Sequence, residues 1–136
     1  MNAAMPDRSP PVPGAGRGTA GAGANAPMKI LVTGISGQLG HDLVGALAPL
    51  GRVVGLDRRT LDLASPDSIR TALRRLAPDV IFNPAAWTAV DQAEAEPEAA
   101  MQANATGPGV LAEEAERLGA WLVHYSTDYV FDGNGT

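Results

Sequence analysis

Lys29-Ile30-Leu31-Val32-Thr33-Gly34-Ile35-Ser36-Gly37-Gln38-Leu39-Gly40 (KILVTGISGQLG) is the stretch on which the fold turns. Lys29 to Thr33 is a short, nearly continuous apolar run of the kind that a strand buried on both faces requires. Three glycines follow at intervals of three, and a helical pattern runs from Gln38 to Ala48 until Pro49 and Gly51 stop it. In a strand-loop-helix unit each glycine has a job. Gly34 permits the tight turn, Gly37 lets backbone approach a pyrophosphate, and Gly40 lets the helix pack closely on the strand. Free amides at the helix start then face the negative charge. Glycines also mark ordinary βα turns, and the chain carries sixteen of them. The position after the first strand, and an acid, Asp57, seventeen residues beyond Gly40, favour a dinucleotide loop.

Outward from this loop, short apolar runs alternate with helical stretches, the pattern of βα units and a parallel sheet. Arg52 to Leu56 reads as a second strand. Ser65-Pro66-Asp67 opens a helix with an N-cap, a proline at the first helical position and an acid on the positive dipole end, and Pro78 closes it. Val80 to Phe82 is a third strand. Pro97 to Leu118 is a long helix that Gly107-Pro108-Gly109 should kink or break, with Gly119 as its cap, and Ala120 to Tyr125 is a fourth strand. Successive right-handed crossovers predict an α/β, Rossmann-type parallel sheet of order 3-2-1-4, truncated after strand 4. The ligand crevice is then expected at the carboxyl ends of strands 1 and 4.

At 136 residues the chain has room for one domain, and its 45% hydrophobic content supports a core. A net charge of −5 with scattered Lys and Arg argues against a nucleic-acid partner. The lack of cysteine excludes disulfides and thiolate chemistry. No apolar run approaches the roughly 20 residues of a membrane span, and no signal core is present, so a cytoplasmic location without a membrane partner is expected. Residues 1–27, rich in Ala, Gly and Pro, lack the apolar groups to offset ordering and are expected to be disordered. A transit peptide fits them poorly because prolines interrupt any amphipathic helix, and Met28 would serve as a natural first residue. The folded unit is expected over 28–136.

Asp57 ends the second strand, the usual station for a carboxylate that accepts hydrogen bonds from adenosine ribose hydroxyls and favours NAD. Arg58 and Arg59 point the other way, since a guanidinium there can clamp the 2′-phosphate of NADP. NADPH or NADH is therefore the expected cofactor. The same trio also suits a solvated loop.

Beyond the glycine loop, Leu61-Asp62-Leu63, Asn83 to Glu94 (NPAAWTAVDQAE), Asn104-Ala105-Thr106-Gly107 and Tyr125 to Gly133 (YSTDYVFDG) together resemble the dTDP-4-dehydrorhamnose reductase family of extended short-chain dehydrogenases/reductases. The resemblance runs from Met28 to Thr136. It implies that Gly34, Gly37, Gln38, Leu39 and Gly40 lie along the pyrophosphate, that Asp62 and Leu63 border the adenine, and that small Ala85 and Ala86 let the cofactor pass. Val90, Asp128 and Tyr129 are implied to contact a nucleotide-sugar substrate. Thr127 is implied to be the catalytic hydroxyl that holds the reacting C4 carbonyl during hydride transfer. The activity implied is NAD(P)H-dependent reduction of dTDP-4-dehydro-L-rhamnose. By their residue types alone, Asn83 to Ala86 suit a proline-punctuated loop exit and Ser126-Thr127-Asp128 a turn or cap. A proline, Pro84, stands where most of the family has alanine.

The family's proton donor is a tyrosine with a lysine four residues later. Here the sole lysine is Lys29, and Tyr125 and Tyr129 are followed at that spacing by Tyr129 and Gly133. The chain is therefore expected to be the cofactor-binding part of a reductase, inactive alone. A non-catalytic dinucleotide or sugar-nucleotide module, or another epimerase or dehydratase of the extended family, is the alternative. Full-length relatives leave room for a homodimer, and for magnesium held partly by an acid in the first helix; Asp42 alone does not support a metal. His124 reads as a satisfied core histidine, Glu113, Glu114, Glu116 and Arg117 as a solvated helical face, and Trp87 and Trp121 as packing residues, with Trp87 near the expected substrate.

Overall fold

A computed structural model describes residues 26–127; residues 1–25 and 128–136, and with them Asp128 and Tyr129, lie outside the described residues. The chain runs β1 (Lys29–Thr33), α1 (Gln38–Leu47), β2 (Arg52–Leu56), α2 (Pro66–Leu76), β3 (Val80–Asn83), α3 (Val90–Ala95), α4 (Pro97–Met101), α5 (Gly107–Leu118) and β4 (Trp121–His124). The four strands pair in parallel as a single sheet, the α/β architecture expected.

The order differs from the one expected. The sheet reads β2-β1-β3-β4, not 3-2-1-4, because β3 joins β1 directly, with Ile30 opposite Val80 and Val32 opposite Phe82. Burial explains the choice. Ile81 and Asn83 are fully buried, which a strand at the outer edge of β2 could not achieve, whereas β2 begins with exposed Arg52 and tolerates the edge. Asp79 then stitches the sheet together at its amino end. Its carboxylate accepts from the Lys29 amide at 2.8 Å, its own amide donates to the Lys29 carbonyl at 2.8 Å, and its carbonyl accepts from the Trp121 amide at 2.9 Å. The winding direction therefore reverses between β1 and β3, and the crevice expected at strands 1 and 4 opens at the carboxyl ends of β1 and β3.

Right-handed crossovers then dictate which face each helix covers. α1 turns the chain one way and lies on one face, over Ile30 and Val32, with Leu43, Val44, Leu47, Val53 and Phe82. α2 and α5 both carry the chain the other way and share the opposite face, where Ile69, Leu73 and Leu111 pack on Leu31, Leu56 and Ile81. Each such buried aliphatic contributes about 1.5–3 kcal/mol. Adjacent residues of β1 point to opposite faces, so the uninterrupted apolar run serves both layers.

Helix ends follow local chemistry. Ser65 caps α2 by accepting from the Ser68 amide at 3.3 Å, ahead of Pro66 and Asp67. α2 ends one residue before left-handed Ala77 (φ 44°), not at Pro78. The long helix expected over Pro97 to Leu118 is divided by a π-type turn at Gln102–Thr106, where the Gly107 amide reaches back to the Gln102 carbonyl. Pro108 has no amide to continue the regular ladder, so the disruption falls in the turn preceding it. Gly107 itself presses on the Leu63 carbonyl, which a Cβ would overlap. Gly119, left-handed at φ 63°, closes α5 as expected.

Glu114 corrects the reading of a solvated helical face: its side chain is 2% exposed. It binds Arg74 of α2 through two hydrogen bonds of 3.1 and 2.8 Å, and Arg117 and Arg70 add ion pairs at 3.3 and 3.9 Å. The Arg74 hydrogen bonds hold its carboxyl below the usual carboxylate range, against the opposing effect of burial, and the charges of Arg74, Arg117 and Arg70 reinforce them. Trp121 is likewise no core residue, being 49% exposed on edge strand β4.

Candidate functional site

A cleft of about 670 Å³ opens at the carboxyl end of the sheet. Its floor is the glycine loop. Gly34 adopts φ +60°, a left-handed conformation that favours glycine, and the Gly37 amide donates back to the Gly34 carbonyl at 3.0 Å. There is no room for a side chain at the loop's first or third glycine. A Cβ on Gly34 would lie 2.7 Å from the Ala85 Cβ, and one on Gly40 would overlap the Gly34 carbonyl oxygen and approach its carbon to 2.7 Å. The loop is thus wedged between α1 and the end of β3. The first intrahelical bond of α1 is His41 amide to Gly37 carbonyl, so the amides of Gln38, Leu39 and Gly40 have no acceptor within the helix. No acid occupies the first turn to compete for that positive end. A loop wedged so that only glycine fits at Gly34 and Gly40, ending in three open amides, suits the pyrophosphate of a dinucleotide.

Gly34, Gly37, Gln38, Leu39, Gly40, Asp62, Leu63, Ala85 and Ala86, all singled out from sequence, line this cleft. Three others do not. Asp57 lies outside the lining because its carboxylate holds its own turn: one oxygen accepts from the Arg59 amide at 3.1 Å, the Thr60 amide at 3.1 Å and the Thr60 hydroxyl at 2.9 Å. The Thr60 hydroxyl is the main reason its carboxyl sits below the usual range; amide bonds from Thr60 and Arg59 and the Arg59 charge add to it, and partial burial opposes it. Val90, 70% exposed at the start of α3, is not itself in the lining although its neighbour Ala89 is. Thr127 is exposed three residues beyond β4, on the carboxyl side of the sheet but outside the cleft wall.

The structure also brings in residues not singled out for the cofactor site from sequence, and decides between the two arginines that were. Ser36, Leu61, Pro84, Trp87, Thr88, Ala89, Gln92 and Ala103 complete the wall, and Arg58, though not Arg59, takes the place expected of Asp57. Trp87 is expected near the substrate from sequence; most of the others lie within or beside the quoted motifs, and that is the only sequence signal for them. Trp87 is half-buried and faces the cleft; it is not core packing.

Beneath the cleft a polar thread crosses three strands. The buried Thr33 hydroxyl donates to Asn83 Oδ1 at 2.5 Å, which leaves the Asn83 amide nitrogen facing His124 Nδ1 at 3.1 Å. An amide nitrogen only donates, so His124 Nδ1 is the acceptor in this contact. The ring is exposed and hydrogen-bonded, not a core histidine. Among the described residues, no group of three or more His, Cys, Asp and Glu could hold a metal ion, and no helix is long and apolar enough to cross a membrane.

Comparison with known proteins places these features in a family. The family model for the RmlD substrate binding domain matches residues 28–136. The chain is 47% identical over 112 residues to dTDP-4-dehydrorhamnose reductase of Escherichia coli (strain K12), covering 79% of this chain and 38% of that protein. It is 51% identical over 106 residues to the enzyme of the same name from Burkholderia thailandensis, covering 78% and 36%. The chain thus spans less than two-fifths of these relatives. Among solved structures, dTDP-4-dehydrorhamnose reductase from Bacillus anthracis str. Ames in complex with NADP superposes with a TM-score of 0.74 at 35% identity, over 84% of this chain and 41% of that one. On the strength of the family match and these identities, the chain belongs to the RmlD substrate-binding domain family.

Proposed function

We propose that this chain is the NAD(P)H-binding portion of a reductase that converts dTDP-4-dehydro-L-rhamnose to dTDP-L-rhamnose. The observation that carries the reading is the glycine cradle: Gly34 and Gly40 leave no room for a Cβ, Ala85 closes against Gly34, and the amides of Gln38 to Gly40 stand open beside the cleft. Gly37 and Leu39 complete the pyrophosphate seat, and Asp62, Leu63 and Ala86 the walls along the dinucleotide. When bound, the nicotinamide supplies hydride to the C4 carbonyl. The Thr127 hydroxyl holds that carbonyl oxygen and stabilises the charge developing on it. Val90, Asp128 and Tyr129 contact the nucleotide sugar.

In this reading the polypeptide alone binds cofactor without reducing sugar. Its one lysine donates from Nζ to the Leu76 carbonyl at 2.6 Å, at the amino end of β1, while the cleft opens at the carboxyl end. No Tyr-x-x-x-Lys pair exists in the sequence to deliver the proton. Titration with NADPH and NADH tests the first half: saturable binding of at least one is expected, and none of either refutes it. Incubation with NADPH and dTDP-4-dehydro-L-rhamnose tests the second. No NADPH oxidation above background is expected, and turnover at the rate of a full-length reductase overturns the claim.

A further inference from the structure

Arg58 and Arg59 both follow the end of β2, beside which the adenosine ribose of a bound dinucleotide lies in this class of fold. Only Arg58 lines the cleft. Its guanidinium carbon sits 5.7 Å above the centre of the Trp87 ring, and its Nε lies 3.8 Å from an Asp62 carboxylate oxygen. Trp87 belongs to the loop after β3 on the other side of the cleft, so the stack joins the two walls.

The Trp87 platform is itself held. Its amide donates to Asn104 Oδ1 at 2.7 Å, its carbonyl accepts from Asn104 Nδ2 at 3.0 Å, and its indole Nε1 donates to the Ala89 carbonyl at 3.2 Å. Asn104 lies in the π-type turn, and its carboxamide both accepts and donates, as a neighbouring strand would. Aspartate keeps only the acceptor and leucine keeps neither. Of the two acids nearby, Asp57 is engaged by its own turn and stays out of the lining, while Asp62 lines the cleft and faces only the Nε side of Arg58, its near oxygen also accepting from the Ala64 amide at 3.0 Å.

Resting on the reading that the cleft takes a dinucleotide, we infer that Arg58, seated on Trp87, receives the phosphate on the adenosine 2′-oxygen, and that Asn104 is the positioning residue that sets the preference for NADPH over NADH by fixing Trp87. A flat ring face restricts a long flexible side chain, so the guanidinium loses less freedom when it meets the phosphate.

The test is calorimetric titration of the full chain and its variants with NADPH, NADH, adenosine 2′,5′-bisphosphate and 5′-AMP. The unaltered chain is expected to favour each 2′-phosphorylated ligand over its partner. R58Q should weaken NADPH about ten- to hundred-fold while NADH stays within about two-fold. N104L should lower the NADPH-to-NADH preference, and N104D should lower it less. In a W121F background, where Trp87 is the remaining tryptophan, N104L and R58Q should each alter its emission. Equal weakening of both cofactors by R58Q overturns the assignment of Arg58, and an unchanged preference in both N104L and N104D overturns the role of Asn104. Binding of both cofactors with no preference defeats this inference alone. Binding of neither defeats the reading of the cleft as well.

Discussion

Two glycines of α1 respond to alanine in opposite directions if close contact, and not helix propensity, determines what the glycine loop tolerates. Gly45 is exposed near the end of the helix, and a Cβ there would meet nothing within 4 Å. Gly45→Ala should therefore stabilise the chain by about 0.5–1 kcal/mol, the usual gain in a helix interior. Gly40 is buried in the first turn of the same helix. Its Cβ would overlap the Gly34 carbonyl oxygen and lie 2.7 Å from the carbonyl carbon and 3.1 Å from Ile35 Cα, where 3.4–4 Å is ordinary contact. Helix and loop must then separate by up to roughly an ångström, an overpacking cost of about 1–3 kcal/mol that exceeds any gain in propensity. At about 4–8 °C per kcal/mol for a domain of this size, Gly45→Ala should raise Tm by roughly 4 °C, and Gly40→Ala should lower it by roughly 5–10 °C. Urea unfolding supplies the free energies and thermal melts the midpoints. The same displacement carries the open amides out of place, so Gly40→Ala should also weaken NADPH binding while Gly45→Ala leaves it alone. A Gly40→Ala chain as stable as the parent would refute the argument.

The Glu114 cluster sets a pH dependence. Because its carboxyl in the fold lies below the ordinary range, it binds fewer protons folded than unfolded near that range. The stability it contributes is present above the ordinary carboxylate range and is lost as pH falls through the depressed folded value. Melts of the parent chain and Glu114→Gln should therefore differ at neutral pH and converge in acid, and parallel curves would contradict this. At the end of α2, Ala77 holds a left-handed conformation at φ 44°, ψ 62°. Ala77→Gly should stabilise by about 1 kcal/mol, read by urea unfolding, and any loss of stability would count against strain at that position.

The elements were legible in the sequence because each rests on a local pattern. Lys29–Thr33 and Arg52–Leu56 appear as bounded apolar runs, Ser65-Pro66-Asp67 as a cap, Gly119 as a stop, and Gly34-x-x-Gly37-x-x-Gly40 as a turn between strand and helix. Strand order was not legible in this way. Nothing local to Val80–Asn83 says which side of β1 it takes; that depended on whether Ile81 and Asn83, on one face of the strand, could be fully buried between β1 and β4.

The same division runs through the site. Residue type and spacing alone determined that a glycine cradle stands at the end of the first strand, with small residues after the third, since only glycine and alanine leave the backbone so accessible. Tertiary structure decided the rest: that the cleft opens between β1 and β3, that Arg58 and not Asp57 lines it, and that Glu114 is clasped by arginines from two helices and not solvated. Those outcomes depend on which distant groups become neighbours. That is a question of how the whole sheet and its helices share their buried surface, and no window of the chain contains it.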